Sequence, residues 1–283
     1  MWRQIAKRAN VYLHDSVGRQ VIQEKKCLGL VCDRLDGFPE GEIISLIPFY
    51  CCTAPVLCLA APFGSRLKGK LSAYEVSDTT LGVRVEFSHD SALTVVHTAY
   101  CLTYPTIITD YLRSSVNDTR SAEQGFSPDL SPQDALKLVQ IKSLNHSLLE
   151  AIHRDLTQCG VDIPLRSLID AHSICASRCV DVPLGESVLG GAAFVPVVDL
   201  INHDRNESNV CVYMEAAGRL TASLKGEARE YLEIHSKCPF FVVLRTATAI
   251  PDGGELTYRY VDPADPLYHD NVYWASRFFF VPL

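Results

Sequence analysis

One segment in the middle of the sequence carries a full set of helix signals. Ser131 is a favourable N-cap, Pro132 suits the first helical position, and Asp134 supplies the acidic residue of a capping-box arrangement. Apolar residues then recur on one broad face until Gly160, which is suited to end the helix: Leu136, Val139, Ile141, Leu144, Leu148, Ile152 and Leu156. Any fold of this chain must therefore accommodate one long amphipathic helix.

The N-terminal part of the chain has a different character. Residues 19–24 and 28–35 are short β-rich segments, and a Pro-Gly turn precedes an apolar run that Pro48 ends. Residues 66–96 continue in the same style, with an alternating apolar and polar segment at 81–87. These patterns predict a small β module.

The region after this module is predicted to be mostly helical. A helix that Pro105 stops is expected over 92–104, and another is expected over 165–177, whereas residues 114–131 have the composition of a polar loop. After residue 177 the segments are again strand-like to the end of the sequence. The chain is therefore predicted to be an α+β protein with β structure at both ends and a helical insert.

This pattern also divides the chain. We expect an N-terminal half at 19–96, a mostly helical insert at 97–176 and a C-terminal half at 177–283. The sequence lacks the glycine-rich GxGxxG and GxxxxGK[ST] patterns of nucleotide-binding loops and the GxSxG pattern of serine hydrolases. Those two functional classes are therefore not supported.

Composition limits the classes of protein further. The chain has 283 residues, of which 47% are hydrophobic and 21% are charged, as is usual for a globular protein. Its apolar runs are much shorter than the roughly 20 residues that span a bilayer, so no membrane span is predicted. The net charge of -7 argues against a broad nucleic-acid-binding face, because such faces need clustered Lys and Arg.

The eleven cysteines are an odd number, and no CxxC pair occurs among them. This pattern favours reduced, buried thiols in a reducing compartment. The alternative is a zinc site at Cys175 and Cys179, which have helical i, i+4 spacing, but no second pair accompanies them. His146 and His153 lie on the long predicted helix without a third ligand nearby, so no metal site is predicted.

The N-terminal segment is basic and amphipathic. Residues 1–14 contain Arg3, Lys7 and Arg8 and no acidic residue, and their apolar residues have helical spacing. Two interpretations of residues 1–18 remain open: a mitochondrial presequence or an ordinary N-terminal helix. The first predicts a mitochondrial location, and the second a cytoplasmic or nuclear one.

Four short motifs follow one another in the C-terminal part of the chain. They are Ser177-Arg178, Asp199 to His203, Gly253 or Gly254 with Glu255 through Tyr260, and Asn271 with Phe278 to Phe280. This order resembles the C-terminal half of a SET domain, in the subfamily of the Rubisco large-subunit methyltransferase. There the pattern reads S-R, D-x-x-N-H, G-E-x-L-x-x-x-Y-G, N and Y-G-F. Residues 25–48 resemble the opening motif of the same family, a glycine-rich turn followed by a strand, a turn and a second strand.

The resemblance implies a β-rich SET fold of small sheets with a knot-like C-terminal crossing. It implies S-adenosyl-L-methionine as the cofactor, a lysine of a protein substrate as the methyl acceptor, and no metal. Tyr260 takes the catalytic position, and Ser177 and Arg178 take positions on the substrate side. The positions that match the cofactor site are Gly29, Leu30, Asn202, His203 and Phe280.

Asn202 and His203 follow the apolar run at 194–201, which reads as a buried strand that delivers them to a pocket. An amide and an imidazole offer the donors and acceptors that a polar ligand needs in apolar surroundings.

Three positions depart from the family pattern. Cys27 replaces the first glycine of the opening motif, Val261 replaces the glycine after Tyr260, and Phe279 replaces the glycine of the terminal Y-G-F. A side chain at such a position can fill space that a ligand uses. Two functions are therefore compatible with the sequence: a SET-type protein-lysine methyltransferase, or a catalytically inactive SET-fold scaffold or assembly factor in a larger complex.

Overall fold

The structure is a computed structural model that describes residues 2–23, 25, 27–67, 69–126, 129–182, 192–204, 208–221, 224–279 and 281. The chain divides into two compact units. The first comprises the described residues within Met1–Cys52, Val180–Leu189 and Val195–Pro263. The second comprises those within Thr53–Cys179, Gly190–Phe194 and Ala264–Leu283.

The elements are as follows. The strands are β1 Tyr12–Leu13, β2 Val17–Ile22, β3 Cys27–Cys32, β4 Ile43–Pro48, β5 Tyr74–Asp78, β6 Val83–Phe87, β7 Cys179–Asp181, β8 Ala192–Phe194, β9 Asn202–His203, β10 Val210–Ala216, β11 Phe240–Thr246 and β12 Thr257–Tyr258. The helices are α1 Trp2–Arg8, α2 Pro55–Ala60, α3 Gly64–Leu67, α4 His89–Thr103, α5 Thr109–Gly125, α6 Pro132–Gln158, α7 Leu165–Arg178, α8 Ala217–Leu220, α9 Gly226–Ile234 and α10 Asn271–Phe278. Short 3-10 turns lie at Phe49–Cys51, Val198–Leu200 and Pro266–His269.

The first unit is built on an antiparallel four-stranded sheet in the order β1-β4-β11-β10. In its register Val243 of β11 lies between Leu46 of β4 and Tyr213 of β10. Leu46 and Val243 are fully buried, and Ala228 and Leu232 of α9 pack in the same apolar cluster. The sheet and α9 therefore form the core of this unit.

A second group of segments in the first unit is held together by backbone hydrogen bonds. β2 and β3 form an antiparallel hairpin, and residues 253–256 run beside β3. The amides of Gly253 and Leu256 donate to the carbonyl oxygens of Cys32 and Leu30 at 2.9 and 2.8 Å. β9 and β12 pair in parallel. Three distant parts of the chain are thus brought side by side.

The second unit is mainly helical. α4, α6 and α7 pack around a buried apolar cluster that includes Leu93, Ile152 and Leu168. The β5–β6 hairpin belongs to the same unit. The predicted α+β class is confirmed, as are the helices expected over 92–104, 131–160 and 165–177. The boundary expected at residue 97 falls inside α4.

The prediction for α6 holds in its capping and in its C-terminal half. The Ser131 hydroxyl accepts a hydrogen bond from the amide of Asp134 at 3.2 Å. Leu144, Leu148, Ile152 and Leu156 are buried, whereas Leu136 and Val139 near the start of the helix are 60% and 67% exposed. The predicted apolar face is therefore only partly used as core.

The polar loop predicted at 114–131 is wrong over most of its length, because α5 extends to Gly125. The buried residues of this helix include Leu112, Ser115, Val116 and Thr119. Hydroxyl-bearing residues occupy half of these inward positions, so the apolar periodicity that marks a helix is weak. Packing on neighbouring helices, rather than the pattern, determines α5.

The N-terminal helix is shorter than the one predicted over residues 1–14. It ends at Arg8, Asn10 has a positive φ of 54°, and Tyr12 and Leu13 form β1. Asparagine tolerates the left-handed region better than most residues, which allows the chain to reverse there. The N-terminal segment therefore joins the central sheet.

Two further expectations for the C-terminal part are corrected. The strand-like character expected to the end of the chain is interrupted by α9 and α10. The apolar run at 194–201 is not one buried strand: Val197 has a φ of 75°, and a 3-10 turn at Val198–Leu200 follows. A β-branched residue with positive φ cannot continue a strand, so the chain bends before Asn202.

All eleven cysteines are free, and most are buried. Within the described ranges, no three His, Cys, Asp or Glu side chains are placed to share a metal ion. No helix among the described residues has both the length and the apolar character needed to cross a membrane.

Candidate functional site

The candidate site lies in the first unit, where β9 pairs with β12. Asn202 is opposite Thr257, and His203 is opposite Tyr258. The 3-10 turn at Val198–Leu200 leads into β9, and the amides of Leu200 and Ile201 donate within this turn. The bend at Val197 and the parallel pairing together determine where the Asn-His pair lies.

The Asn202 side chain connects two other segments. Its amide nitrogen donates to the Glu255 carboxylate at 2.8 Å and to the carbonyl oxygen of Leu28 at 3.1 Å. The amide nitrogen is therefore engaged within the protein, and the amide oxygen is the acceptor of this side chain.

Gly29 is required by this arrangement. A Cβ atom at position 29 would lie 2.7 Å from the Asn202 amide nitrogen and 2.8 Å from Glu255 Oε1. It would also lie 2.8 Å from Cγ1 of Ile22. The space beside the Gly29 backbone is filled by side chains of the protein itself, so the glycine allows Asn202 and Glu255 to meet.

Lys25 completes the polar group. Its ammonium donates to Glu255 Oε2 at 2.7 Å and to the carbonyl oxygen of His203 at 3.1 Å, and it lies 3.8 Å from the Asp204 carboxylate. The Lys25 and Glu255 side chains are 30% and 15% exposed, so this ion pair is partly shielded from water. We refer to Lys25, Asn202, His203 and Glu255 as the polar network.

The Cys27 thiol lies beside this network. Burial raises the pKa of this thiol, and the nearby Glu255 carboxylate raises it further, while Lys25 and a hydrogen bond from Asn202 act in the opposite direction. The thiol form is therefore favoured over the reactive thiolate.

His203 and Tyr260 are in direct contact. Their ring centroids are 5.3 Å apart, and the backbone amide of Tyr260 donates to His203 Nδ1 at 3.1 Å. An Nδ1 that accepts a hydrogen bond carries no proton, so this arrangement selects the tautomer protonated on Nε2. The Tyr260 hydroxyl donates to the carbonyl oxygen of Ile201. The predicted catalytic tyrosine is thus fixed to the segment that carries Asn202 and His203.

The remaining predicted site residues are placed differently. Leu30 is fully buried, and its carbonyl oxygen accepts from Leu256, so it supports the hairpin from the core. Ser177 and Arg178 end α7 in the second unit, where Ser177 donates to the carbonyl oxygen of Ser173 and Arg178 donates to the Thr119 hydroxyl. Phe280 lies outside the described residues.

Sequence reasoning did not assign a role to Lys25 or to the Glu255 side chain. Glu255 belongs to the third C-terminal motif, and Lys25 is the first residue of the segment at 25–48, three positions before the predicted strand at 28–35. Lys25 and Glu255 are 230 positions apart, and Lys25 and His203 are 178 positions apart. No local signal connects residues at such separations.

Comparison with known proteins gives a match at the level of structure. No family model and no curated protein matches the sequence. The fold aligns with the SET domain of LSMT bound to lysine and AdoHcy over 99% of this chain, with a TM-score of 0.62 and 13% identity. It also aligns over 99% of this chain with Rubisco LSMT bound to AdoMet, with a TM-score of 0.59 and 14% identity. This chain has the SET fold.

The SET-fold chains in these two structures are longer than this one. The alignment covers 56% of the first and 55% of the second, so this chain spans a little over half of their length. At 13% and 14% identity the likeness concerns the fold, and the polar network of this SET fold has to be interpreted from its own residues.

Proposed function

We propose that this chain is a SET-type methyltransferase of the Rubisco large-subunit methyltransferase-like subfamily, which uses S-adenosyl-L-methionine to methylate a lysine side chain of a protein. The position of Tyr260 carries this proposal, because its backbone binds His203 and its hydroxyl binds the carbonyl of Ile201. The aligned SET domains were solved with lysine or methyllysine and AdoHcy, which supports the choice of cofactor and acceptor.

The polar groups of the site suit S-adenosylmethionine in chemical type. The cofactor has cationic and N–H donor groups, and this site presents the Glu255 and Asp204 carboxylates and the His203 carbonyl oxygen as acceptors. The Asn202 amide oxygen adds one more acceptor. Asn202, His203 and Glu255 are therefore the residues that would hold the cofactor, which supplies an electrophilic methyl group when it is bound.

The contribution of Tyr260 follows from its hydrogen bond. Because the hydroxyl donates its proton to the carbonyl of Ile201, its oxygen can take part in further hydrogen bonds only as an acceptor. An acceptor fixed in this way can orient an amine N–H and so align the nitrogen for attack, which is an effect of proximity and orientation. The acceptor lysine must also lose a proton, since its usual pKa is about 10.4, and removal of its amine from water on binding would favour the neutral form.

The test is a titration with S-adenosylhomocysteine, followed by a turnover assay on whole-cell protein with labelled S-adenosylmethionine. We expect Tyr260→Phe to bind S-adenosylhomocysteine as the wild type does and to lose turnover about 100-fold, the usual cost of a misaligned reacting group. Tyr258→Phe, in the paired strand, is the matched control and should keep its activity. Absence of binding by the wild type at millimolar ligand would refute the proposal.

A second candidate function is supported by one specific observation. The Asn202 amide nitrogen and the Lys25 ammonium donate to acceptors of the chain itself, so these donors are engaged without a ligand. This arrangement is compatible with an inactive SET-fold scaffold or assembly factor that retains the motif for structural reasons. In that case the wild type binds weakly or not at all, and Cys27→Gly combined with Phe279→Gly is expected to strengthen binding.

A further inference from the structure

Lys25 has an unusual place among the residues of the site. Its ammonium donates hydrogen bonds to Glu255 Oε2 at 2.7 Å and to the His203 carbonyl oxygen at 3.1 Å. It also forms an ion pair with the Asp204 carboxylate at 3.8 Å, which is beyond hydrogen-bond distance.

The charges around Lys25 define what kind of ligand group could replace it. Two carboxylates and a carbonyl oxygen surround its position, and a ligand carboxylate placed there would be repelled. A ligand N–H donor, especially one on a cationic ligand, would find the acceptors that the ammonium now uses. The surroundings of Lys25 therefore form a site for an N–H donor, and Lys25 itself occupies it.

Lys25 can leave without a change in the rest of the network. It reaches the site from the turn between β2 and β3, on a flexible side chain with four methylene groups. When it leaves, Glu255 still accepts from Asn202 through the other carboxylate oxygen. The displacement would thus leave the Asn202–Glu255–Gly29 contacts in place.

We infer that Lys25 is an intramolecular competitor of the cofactor: its ammonium covers the acceptors of His203 and Glu255, and binding of S-adenosylmethionine displaces it. This inference rests on the proposed function. It assigns to Lys25 the role of setting the cofactor affinity, which no motif of the sequence indicates.

The first experiment compares the affinity of S-adenosylhomocysteine for the wild type and for Lys25→Met. This ligand lacks the sulfonium charge of the cofactor. A gain in affinity therefore cannot come from relief of repulsion between the Lys25 ammonium and a sulfonium. Methionine keeps most of the aliphatic side chain and removes the ammonium. We expect the variant to bind about tenfold more tightly. This factor corresponds to a wild type in which the Lys25 ammonium covers the acceptors in about nine molecules of ten.

Lys142→Met is the matched control. Lys142 forms an ion pair with Glu123 at 3.0 Å in the second unit, so the same substitution removes an ammonium from a carboxylate away from the network. The affinity of the Lys142→Met protein for S-adenosylhomocysteine should equal that of the wild type. Lys25→Leu, which also has no N–H donor, provides a second variant of the same position if Lys25→Met does not fold.

The second experiment uses the unmodified protein and measures the reactivity of its lysine amines. Acetylation of each lysine is followed by mass spectrometry with and without S-adenosylhomocysteine. We expect the ligand to increase acetylation of Lys25 and to leave Lys142 unchanged, because displacement frees the Lys25 amine from its acceptors.

The outcomes separate the inference from the proposed function. If the wild type binds the ligand but Lys25→Met and Lys25→Leu bind it no more tightly, or if the ligand protects Lys25 from acetylation, the competitor role is refuted and the methyltransferase proposal stands. If neither the wild type nor the variants bind at millimolar ligand, both are refuted.

Discussion

Replacement of Gly29 by alanine tests the geometry of the polar network most directly. The added Cβ would lie 2.7 Å from the Asn202 amide nitrogen and 2.8 Å from both Glu255 Oε1 and Ile22 Cγ1. Ordinary van der Waals contact begins at 3.4 Å, so three atoms must move at once. The two polar atoms are hydrogen-bonded to each other, so moving one of them away from the other lengthens that bond.

The magnitude follows from these contacts. Inserting one methyl group into a well-packed site typically costs about 1 to 3 kcal/mol, and a hydrogen bond to a charged group contributes about 1.5 to 3 kcal/mol. Because part of the strain can be relieved by giving up part of the bond, we expect Gly29→Ala to lower the free energy of unfolding by about 2 to 4 kcal/mol. Urea unfolding measures this value from the midpoint and the slope.

Gly218→Ala is the control for the change from glycine to alanine. Gly218 lies in α8, and a Cβ there would meet no atom within 4 Å. This substitution should leave stability unchanged or raise it by up to about 1 kcal/mol. Equal stability of the Gly29→Ala and Gly218→Ala proteins would refute the close approach of Asn202 and Glu255 to Gly29.

A double-mutant cycle separates the network from general overpacking. Asn202→Ala removes the nearest of the three atoms, so Gly29→Ala should cost less in that background than in the wild type. We expect a coupling free energy of about 1 kcal/mol or more between the two positions. Strictly additive effects would mean that the contacts with Ile22 and Glu255, rather than the contact with Asn202, account for the loss.

Three further predictions concern other parts of the fold. Burial lowers the pKa of His97 to about 4, so below pH 6.5 the unfolded state takes up a proton that the folded state does not. The free energy of unfolding should therefore fall by up to about 3 kcal/mol between pH 6.5 and 4. His97→Asn should reduce this dependence of the free energy of unfolding on pH, as measured by urea titrations. Ser131→Ala should cost about 1 kcal/mol through loss of the α6 N-cap, whereas Ser147→Ala, at an exposed position in the same helix, should change stability by less than about 0.5 kcal/mol in the same assay. The Arg3 guanidinium donates to the carbonyl oxygens of His14, Asp15 and Val17. Arg3→Ala should therefore lower the free energy of unfolding by at least about 1 kcal/mol relative to Arg8→Ala, since Arg8 is exposed. Equal thermal unfolding of the two variants would favour the alternative, a removable mitochondrial presequence.

Local sequence signals predicted the elements that depend on local interactions. The N-cap at Ser131 and the helical periodicity that follows it predicted the presence and the start of α6 correctly, because capping and periodicity operate over a few residues, although Leu136 and Val139 are exposed. α5 could not be found in this way. Ser115 and Thr119 occupy its buried face, and only the surrounding helices make those positions interior.

The candidate site shows the same limit. The motif pattern brought Asn202, His203 and Tyr260 into one hypothesis, and the structure places them in contact or in adjacent positions. The network that Lys25 completes was not predictable, because its contacts join residues that are far apart in sequence and depend on how β9 and residues 253–256 meet the β2–β3 hairpin.

The network also changes what the motif residues imply. The sequence pattern assigned Gly29 and Asn202 to the cofactor, but both are also required for the contact with Glu255 inside the protein. A chain that had lost methyl transfer would keep these residues for stability, so their presence does not distinguish an enzyme from a scaffold. The Tyr260 hydroxyl differs in that it can be removed alone. Tyr260→Phe removes the hydroxyl and its hydrogen bond to Ile201, and the ring stays against His203. A variant that loses turnover while keeping stability and cofactor affinity would therefore reveal a function of that hydroxyl beyond holding the fold together.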